Sequence, residues 1–259
     1  MSKSRPLPLL LEGDPPEFLV HDEEEECPYL PAQRARFPFR LPVRPLLPAE
    51  MDARLAQGDR RNGPLLYRPS CAGCDACRAI RLHVEGFEPR SRHRRVLKKG
   101  DSELVVTLGP TQCDPERVAL YNLHLEGRGL TRGGPPMDLE GYRHFLAQTC
   151  CESFELRYHR DGKLVGVAIT DRSTNALSAV YCYYDPSLAP LSIGTYSILK
   201  QLELCRVWGL EYLYLGLYVV GSRAMAYKAR FVPNEQLIDG AWTLVTSSPS
   251  PEVAPEGDA

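Results

Sequence analysis

In the second half of the chain, apolar residues fall at regular intervals. At 154–159 apolar and polar positions alternate, and at 163–170 a mostly apolar run follows; the two flank Asp161-Gly162, which predicts two strands joined by a tight hairpin. A third strand is predicted at 176–184, rich in Val and Tyr. At 192–208 the spacing changes to that of a helix, with Tyr196, Leu199, Leu202 and Cys205 inward and Gly209 as its stop. A buried-type strand follows at 211–218, a short helix at 221–229 and a last strand at 241–245.

Two helices are predicted upstream. Asp114-Pro115-Glu116 opens the first, since Asp caps, Pro suits the first turn and Glu complements the dipole; it should run to about residue 126. The second fits 138–149, with Leu139, Tyr142, Phe145 and Leu146 on one face. Before residue 110 the pattern is weak. Prolines crowd 28–69, and only 79–84 and 103–108 read as strands. We expect an irregular tail at 1–17, a cysteine-containing N-terminal domain at 18–110, a second domain at 111–245 and a disordered tail at 246–259. The fold class is α+β. A hairpin feeding a mixed sheet, with one long helix after the third or fourth strand, matches the layout of GNAT acyltransferases, a fold-level analogy that licenses no function alone.

Composition narrows the classes. Lys and Arg total 31 against 33 Asp and Glu, so the distribution of charge says more than the sum. Asp22 and Glu23 to Glu26 form an acidic run; Arg90, Arg92, Arg94 and Arg95, with Lys98 and Lys99 behind them, form a basic segment suited to phosphate contacts, with a merely solvated basic strand as the alternative reading. No stretch approaches the ~18 apolar residues of a membrane span. The first twenty residues lack a secretory apolar core. We therefore expect a cytoplasmic protein whose nine cysteines stay mostly reduced.

Cys71, Cys74 and Cys77 lie within seven residues, a spacing suited to one ion or cluster and not required by packing. Tetrahedral zinc or a cubane iron–sulfur cluster needs a fourth ligand. Cys27 is the first candidate, with His83 and the pair Cys150-Cys151 as alternatives. Further along, Ser192, Gly194 and Thr195 begin the predicted helix at 192–208, where free amides favour an anion; ordinary capping by Ser192 is the plainer reading. Lys228 and Arg230 follow a strand that ends in aromatics, a placement suited to a site at a sheet edge.

Taken in order, several segments resemble the aminoacyl-tRNA–protein transferases, specifically the bacterial aspartate/glutamate leucyltransferases. They are Cys27-Pro-Tyr-Leu-Pro31, Tyr67-Arg-Pro-x-Cys71-x2-Cys74-x-Ala-Cys77, Ser91 to Arg95, Ser178-Ala-Val-Tyr181 with Tyr184-Asp-Pro186, Ser192-x-Gly-Thr-Tyr196, Tyr214-Leu-Gly216 and Met225-Ala-Tyr-Lys-Ala-Arg-Phe231. The chain departs from the family pattern at Asp59-Arg-Arg-Asn-Gly63, at Arg128-Gly129, at Gly133-Gly-Pro-Pro-Met137 and at Ala224.

The resemblance implies a GNAT-like catalytic half. It also implies transfer of an amino acid from aminoacyl-tRNA to the N-terminal amine of proteins starting with Asp or Glu, marking them for N-degron proteolysis. The partners are then aminoacyl-tRNA and acidic-start acceptor proteins, with no membrane. The chemistry requires no cofactor: the donor ester is activated, and an α-amine of pKa about 8 is in good part neutral at cell pH. Positioning and oxyanion stabilisation should dominate, with at most one weak base from Tyr181, Tyr184 or Asp185. The acceptor's carboxylate calls for a cation, and Arg78 and Arg81 are the first candidates, with Lys228 behind them. Two other readings stay open: the same reaction with arginyl-tRNA, and a metal-stabilised RNA-binding module without transfer.

Overall fold

The computed structural model describes residues 8–248 apart from Arg132 and Arg223. The N-terminal elements are β1 (Leu9–Leu11), β2 (Glu17–His21), β3 (Glu24–Glu26), β4 (Arg34–Arg36), β5 (Phe39–Pro42), α1 (Pro48–Ala56), β6 (Arg60–Asn62) and β7 (Leu65–Tyr67). Then come β8 (Cys77–His83), α2 (Ser91–Glu103), β9 (Val105–Pro110), α3 (Pro115–Gly127) and α4 (Leu139–Tyr142), which runs on into a π-helical turn at Arg143–Ala147. The remainder is β10 (Ser153–Arg160), β11 (Lys163–Arg172), β12 (Ala176–Tyr184), a 3₁₀ turn (Pro186–Leu191), α5 (Ile193–Val207), β13 (Tyr212–Val219), a 3₁₀ turn (Lys228–Arg230), β14 (Asn234–Ile238) and β15 (Ala241–Val245).

The frame is an eight-stranded mixed sheet ordered β15-β14-β8-β13-β12-β11-β10-β9. Only β12 and β13 run parallel, joined by the crossover helix α5. The β10–β11 hairpin turns at Asp161 (φ 51°) and Gly162 (φ 77°), the paired left-handed residues that match strand twist in a two-residue loop. Asp114 caps α3 by accepting from the Arg117 N–H at 2.9 Å, as the sequence predicts.

Both faces of the sheet are covered. On one, α5 lays Ile198, Leu199, Leu202 and Cys205 against Ile80, Leu82, Leu177 and Leu213. Helix α2 crosses α5 at Gly100, where a Cβ would stand 2.3 Å from a Tyr196 ring carbon. On the other face, Leu120 and Tyr121 of α3, with Tyr142 and Leu146, pack on Val167, Ile169 and Tyr183. Beside them sits a five-stranded sheet, β1-β2-β5-β7-β6, whose Leu66 joins Met51 and Leu55 of α1 against Ala176 and Tyr214.

Four expectations change. The N-terminal stretch is not merely loop: its strands are too short, three to five residues, to show a period. The boundary read at residue 110 cuts through the large sheet, because β8 and β9 belong to it. The basic segment 90–95, for which a merely solvated strand was the alternative to phosphate contacts, begins helix α2. Where a helix was predicted at 221–229, residues 224–227 form a turn that leads into the short 3₁₀ segment at Lys228–Arg230. Of the terminal tails, residues 1–7 and 249–259 lie outside the described part.

Candidate active site

Strands β12 and β13 pair only over Ala176–Ser178 and Tyr212–Tyr214, then part. An irregularity in the pairing of β13 with β8 between Tyr214 and Gly216 accompanies the divergence. Adjacent arginines of β6 reach from the small sheet to this region. Arg61 makes a two-pronged ion pair with Asp171, at 2.8 and 2.9 Å, both side chains fully buried. Arg60 enters the gap. Its Nη1 donates to Ser178 Oγ at 3.0 Å and its Nη2 donates to the Ala179 carbonyl at 3.1 Å. Gly216 (φ 86°) permits the approach, since a Cβ there would lie 2.8 Å from Arg60 Nη2.

Arg60 is only 7% exposed, yet among the described residues it has no carboxylate partner. Burial lowers its pKa, but a guanidinium stays charged. Around it stand Tyr29 and Tyr67; burial pushes the Tyr67 phenol up while the Arg60 charge pulls it down. From the turn after β13, Lys228 Nζ donates to the Leu217 carbonyl at 2.9 Å. Burial first, and then the Arg60 charge, pull this amine from 10.5 down to about 7. Near neutrality it is therefore part amine, part ammonium.

The other predicted residues fall around this gap or away from it. Tyr181 lies just beyond Ala179, its ring 5.6 Å from Phe145 and 5.7 Å from Tyr121. Burial, reinforced by Tyr121, pushes its phenol well above the usual range, so it stays protonated and suits donation. The Tyr184 hydroxyl accepts from Arg128 Nη1 at 2.8 Å, while His124 Nδ1 lies 3.0 Å from the Tyr184 carbonyl. Burial lowers the His124 pKa, which favours a neutral ring. Asp185 is occupied as a cap, accepting from the Ser187 N–H at 2.9 Å and hydroxyl at 2.7 Å. Ser192 is exposed and left-handed (φ 53°) and caps nothing with its side chain. Gly194 and Thr195 open α5 beside Tyr184, whose ring would sit 3.7 Å from a Cβ on Gly194.

Arg78 is half-buried opposite Tyr218 and has no ion pair among the described residues. Arg81 is already engaged. It donates to Glu235 at 2.6 Å and to the Tyr214 hydroxyl at 3.0 Å, and stacks between the Tyr212 and Trp242 rings at 3.8 and 4.1 Å. The carboxylate it was expected to take from a substrate is supplied by the fold.

On α2 the arginines divide. Arg92 donates to the Arg230 carbonyl and to His93, which is itself buried and stacked on Phe231 at 5.1 Å. Arg94, Arg95, Lys98 and Lys99 face solvent, and Arg90 precedes the first turn.

The cysteines share one neighbourhood. Cys71 Sγ accepts from the Arg36 N–H at 3.3 Å and Cys27 Sγ from the Leu30 N–H at 3.4 Å. Cys77 is pushed up to about 12, by burial first and then by Cys71, Cys27 and Cys74. Even so, among the described residues no group of three or more Cys, His, Asp or Glu is arranged to hold a metal ion. The proposed zinc or iron–sulfur site does not fit these positions, and no step below passes through it. Cys150 and Cys151 are buried beside Thr149 and Ser153.

Arg60 is the site residue that sequence reasoning passed over. Its only signal was the adjacent Arg-Arg before Gly63, which says nothing about which arginine meets a carboxylate.

The comparisons with known proteins cover both halves. Residues 25–95 match the N-terminal and residues 116–238 the C-terminal model of arginine-tRNA-protein transferase. The chain belongs to this family of aminoacyl-tRNA–protein transferases. It is 39% identical over 224 residues to an aspartate/glutamate leucyltransferase of Halorhodospira halophila, covering 86% of this chain and 94% of that one. The leucyltransferases of Thiobacillus denitrificans and Hahella chejuensis are 37% and 36% identical, over 84% and 86% of this chain and 90% and 94% of theirs. Among solved structures, the C-terminal domain of a putative lysylphosphatidylglycerol synthetase from Agrobacterium fabrum superposes with a TM-score of 0.47 at 14% identity, over 65% of this chain and 58% of that one. Among the described residues no helix is long and apolar enough to cross a membrane.

Proposed function

We propose that this chain transfers leucine from leucyl-tRNA to the N-terminal amine of proteins that begin with Asp or Glu, committing them to N-degron proteolysis. The observation that carries the reading is the buried Arg60 guanidinium, without a carboxylate of its own, next to the Lys228 amine held at about 7. A cation in a closed gap suits the acceptor's acidic side chain, and a half-neutral amine beside it suits a proton acceptor. The relatives' names support leucine as donor and Asp or Glu as acceptor.

The reaction is an aminolysis. The acceptor nitrogen attacks the ester carbonyl carbon, Lys228 takes the proton that nitrogen sheds, and the ester C–O bond breaks. The ribose oxygen leaves with a proton, giving a peptide bond and free tRNA. The transfer needs no cofactor. Arg60 holds the acceptor carboxylate, and Arg78 offers a second cation. The Tyr181 and Tyr184 phenols, kept protonated, donate toward the developing oxyanion instead of acting as bases. Asp185 fixes the turn that precedes Ser192. The first turn of α5 at Gly194 and Thr195, with Arg128, faces the phosphates of the tRNA end, and Arg90, Arg94, Arg95 and Lys98 of α2 carry its backbone. The parting of β12 and β13 ahead of the crossover helix α5 supports the GNAT-like reading of the catalytic half.

The test is transfer from leucyl- and arginyl-tRNA to peptides starting with Asp, Glu or Lys. Leucine should reach the Asp and Glu peptides alone. Tight tRNA binding without any transfer would support the RNA-binding module instead. Arg60→Met should lower kcat/KM for the Asp peptide by about 100-fold or more, the cost of unpairing a buried charge contact. A loss confined to kcat, with the KM for the Asp peptide unchanged, would remove Arg60 from acceptor recognition.

A further inference from the structure

We propose that the apolar recess between the β6–β7 turn and the π-helical turn is the pocket for the donor's amino-acid side chain, and that it selects leucyl over arginyl groups. The proposal rests on the transferase reading above. The recess is about 410 Å³, and its walls are Phe39, Pro64, Leu65 and Phe145, with Asn62 and His144 as the polar members.

Its position ties it to the gap. Asn62 follows Arg60 on the same side of β6, about 7 Å along the strand. Phe39 lies opposite Tyr67 with rings 5.3 Å apart, and Tyr67 in turn lies opposite Arg60. From the other side, the Phe145 ring is 5.6 Å from Tyr181, just beyond the Ala179 carbonyl that holds Arg60. Two walls of the recess therefore continue into the two edges of the gap where the ester carbonyl would sit.

The recess is built in advance. The Gly63 N–H donates to the Phe145 carbonyl at 3.1 Å, and a Cβ on Gly63 (φ 57°) would stand 2.2 Å from the His144 carbonyl oxygen. Backbone is locked to backbone across its floor. The π-helical turn that presents His144 and Phe145 is of a kind that often marks functional sites.

Its chemistry chooses the donor. Four apolar walls take part of an aliphatic side chain's surface out of water. No Asp or Glu lines the recess. The nearby Glu140 is exposed and lies 3.6 Å from His144 Nε2. An arginyl guanidinium would meet only the uncharged side chain of Asn62 and the His144 ring on the lining, with no carboxylate to offset its desolvation.

The experiment compares leucyl-, alanyl- and arginyl-tRNA as donors to an Asp-starting peptide, using the full chain and the variants Leu65→Glu, Leu65→Gln and Phe145→Ala. Thermal unfolding checks that each variant folds. The wild-type protein should prefer leucyl over alanyl by about 100-fold in kcat/KM. Leu65→Glu should reduce leucyl transfer by 10- to 100-fold, on the order of one buried apolar contact, and raise arginyl transfer into the measurable range. Phe145→Ala should narrow the leucyl-to-alanyl ratio. Variants that slow all three donors equally would overturn the assignment. A second arm measures calorimetric binding of 3′-deoxy-3′-(leucylamino)adenosine. Wild-type binding that Leu65→Glu weakens supports the pocket, and binding that it leaves unchanged overturns the pocket. A protein that transfers from no donor defeats the transferase reading, and the binding arm then judges the pocket by itself.

Discussion

Replacing Lys228 by methionine should change stability and catalysis with different signs. The amine is held at about 7 against 10.5 for a free lysine. A depression of that size corresponds to about 5 kcal/mol between the two protonation states. Lys228 keeps part of its surface in water, so about 2–3 kcal/mol is the expected share. Below pH 7 both folded and unfolded chains carry the proton, and the folded state bears this cost in full. Between about pH 7 and 10.5 the unfolded chain binds the extra proton, so wild-type stability rises with pH across that window. Methionine removes the charge from both states. The variant should be more stable than wild type at pH 6.5, and its advantage should shrink steadily toward pH 9.5. Urea unfolding at four pH values measures this, and an advantage independent of pH would refute the reasoning. Catalysis should move the other way: kcat should fall by about 100-fold or more with little change in acceptor KM. Lys228→Arg keeps a charge that cannot be given up. Activity restored by arginine would mean that Lys228 serves as a cation and not as a base.

Other consequences can be checked with single measurements. Arg61→Met alone should cost about 3–5 kcal/mol by stranding the buried Asp171, and Arg61→Met with Asp171→Leu should recover most of it in denaturant melts. Replacing exposed Arg94, Arg95 and Lys98 by alanine should leave transfer to Asp peptides saturable while flattening the log–log salt dependence of tRNA binding by about 2. Gly100→Ala should destabilise the protein by about 1–3 kcal/mol, because the new methyl group meets the Tyr196 ring where α2 crosses α5; differential scanning calorimetry would show it.

Local regularities made the second half legible. The Asp161-Gly162 hairpin, the Asp114 cap and the inward stripe of α5 all depend on neighbours within a few residues, and all are found as expected. The strands of the small sheet were hidden because three residues carry no period and their partners are distant in sequence. The same limit applied to the basic segment, which carried no helix signal of its own: only the fold shows His93 and Gly100 packing inward.

The sequence by itself determined the kind of protein. Ordered segments from Cys27 to Phe231 marked the family, and the comparisons agree. It could not decide which charged groups are free. Arg81 and Arg60 have the same chemistry on paper. In the fold, Arg81 is neutralised by Glu235 and sandwiched between rings, while Arg60 is buried against Ser178 and Ala179 with no carboxylate partner among the described residues. Pairing and burial are properties of three-dimensional neighbourhoods, and the partners of these two arginines lie more than a hundred residues away along the chain. Burial first, and then the Arg60 charge, hold the Lys228 amine down, and that charge is contributed by the small sheet, which only the tertiary structure brings to the gap.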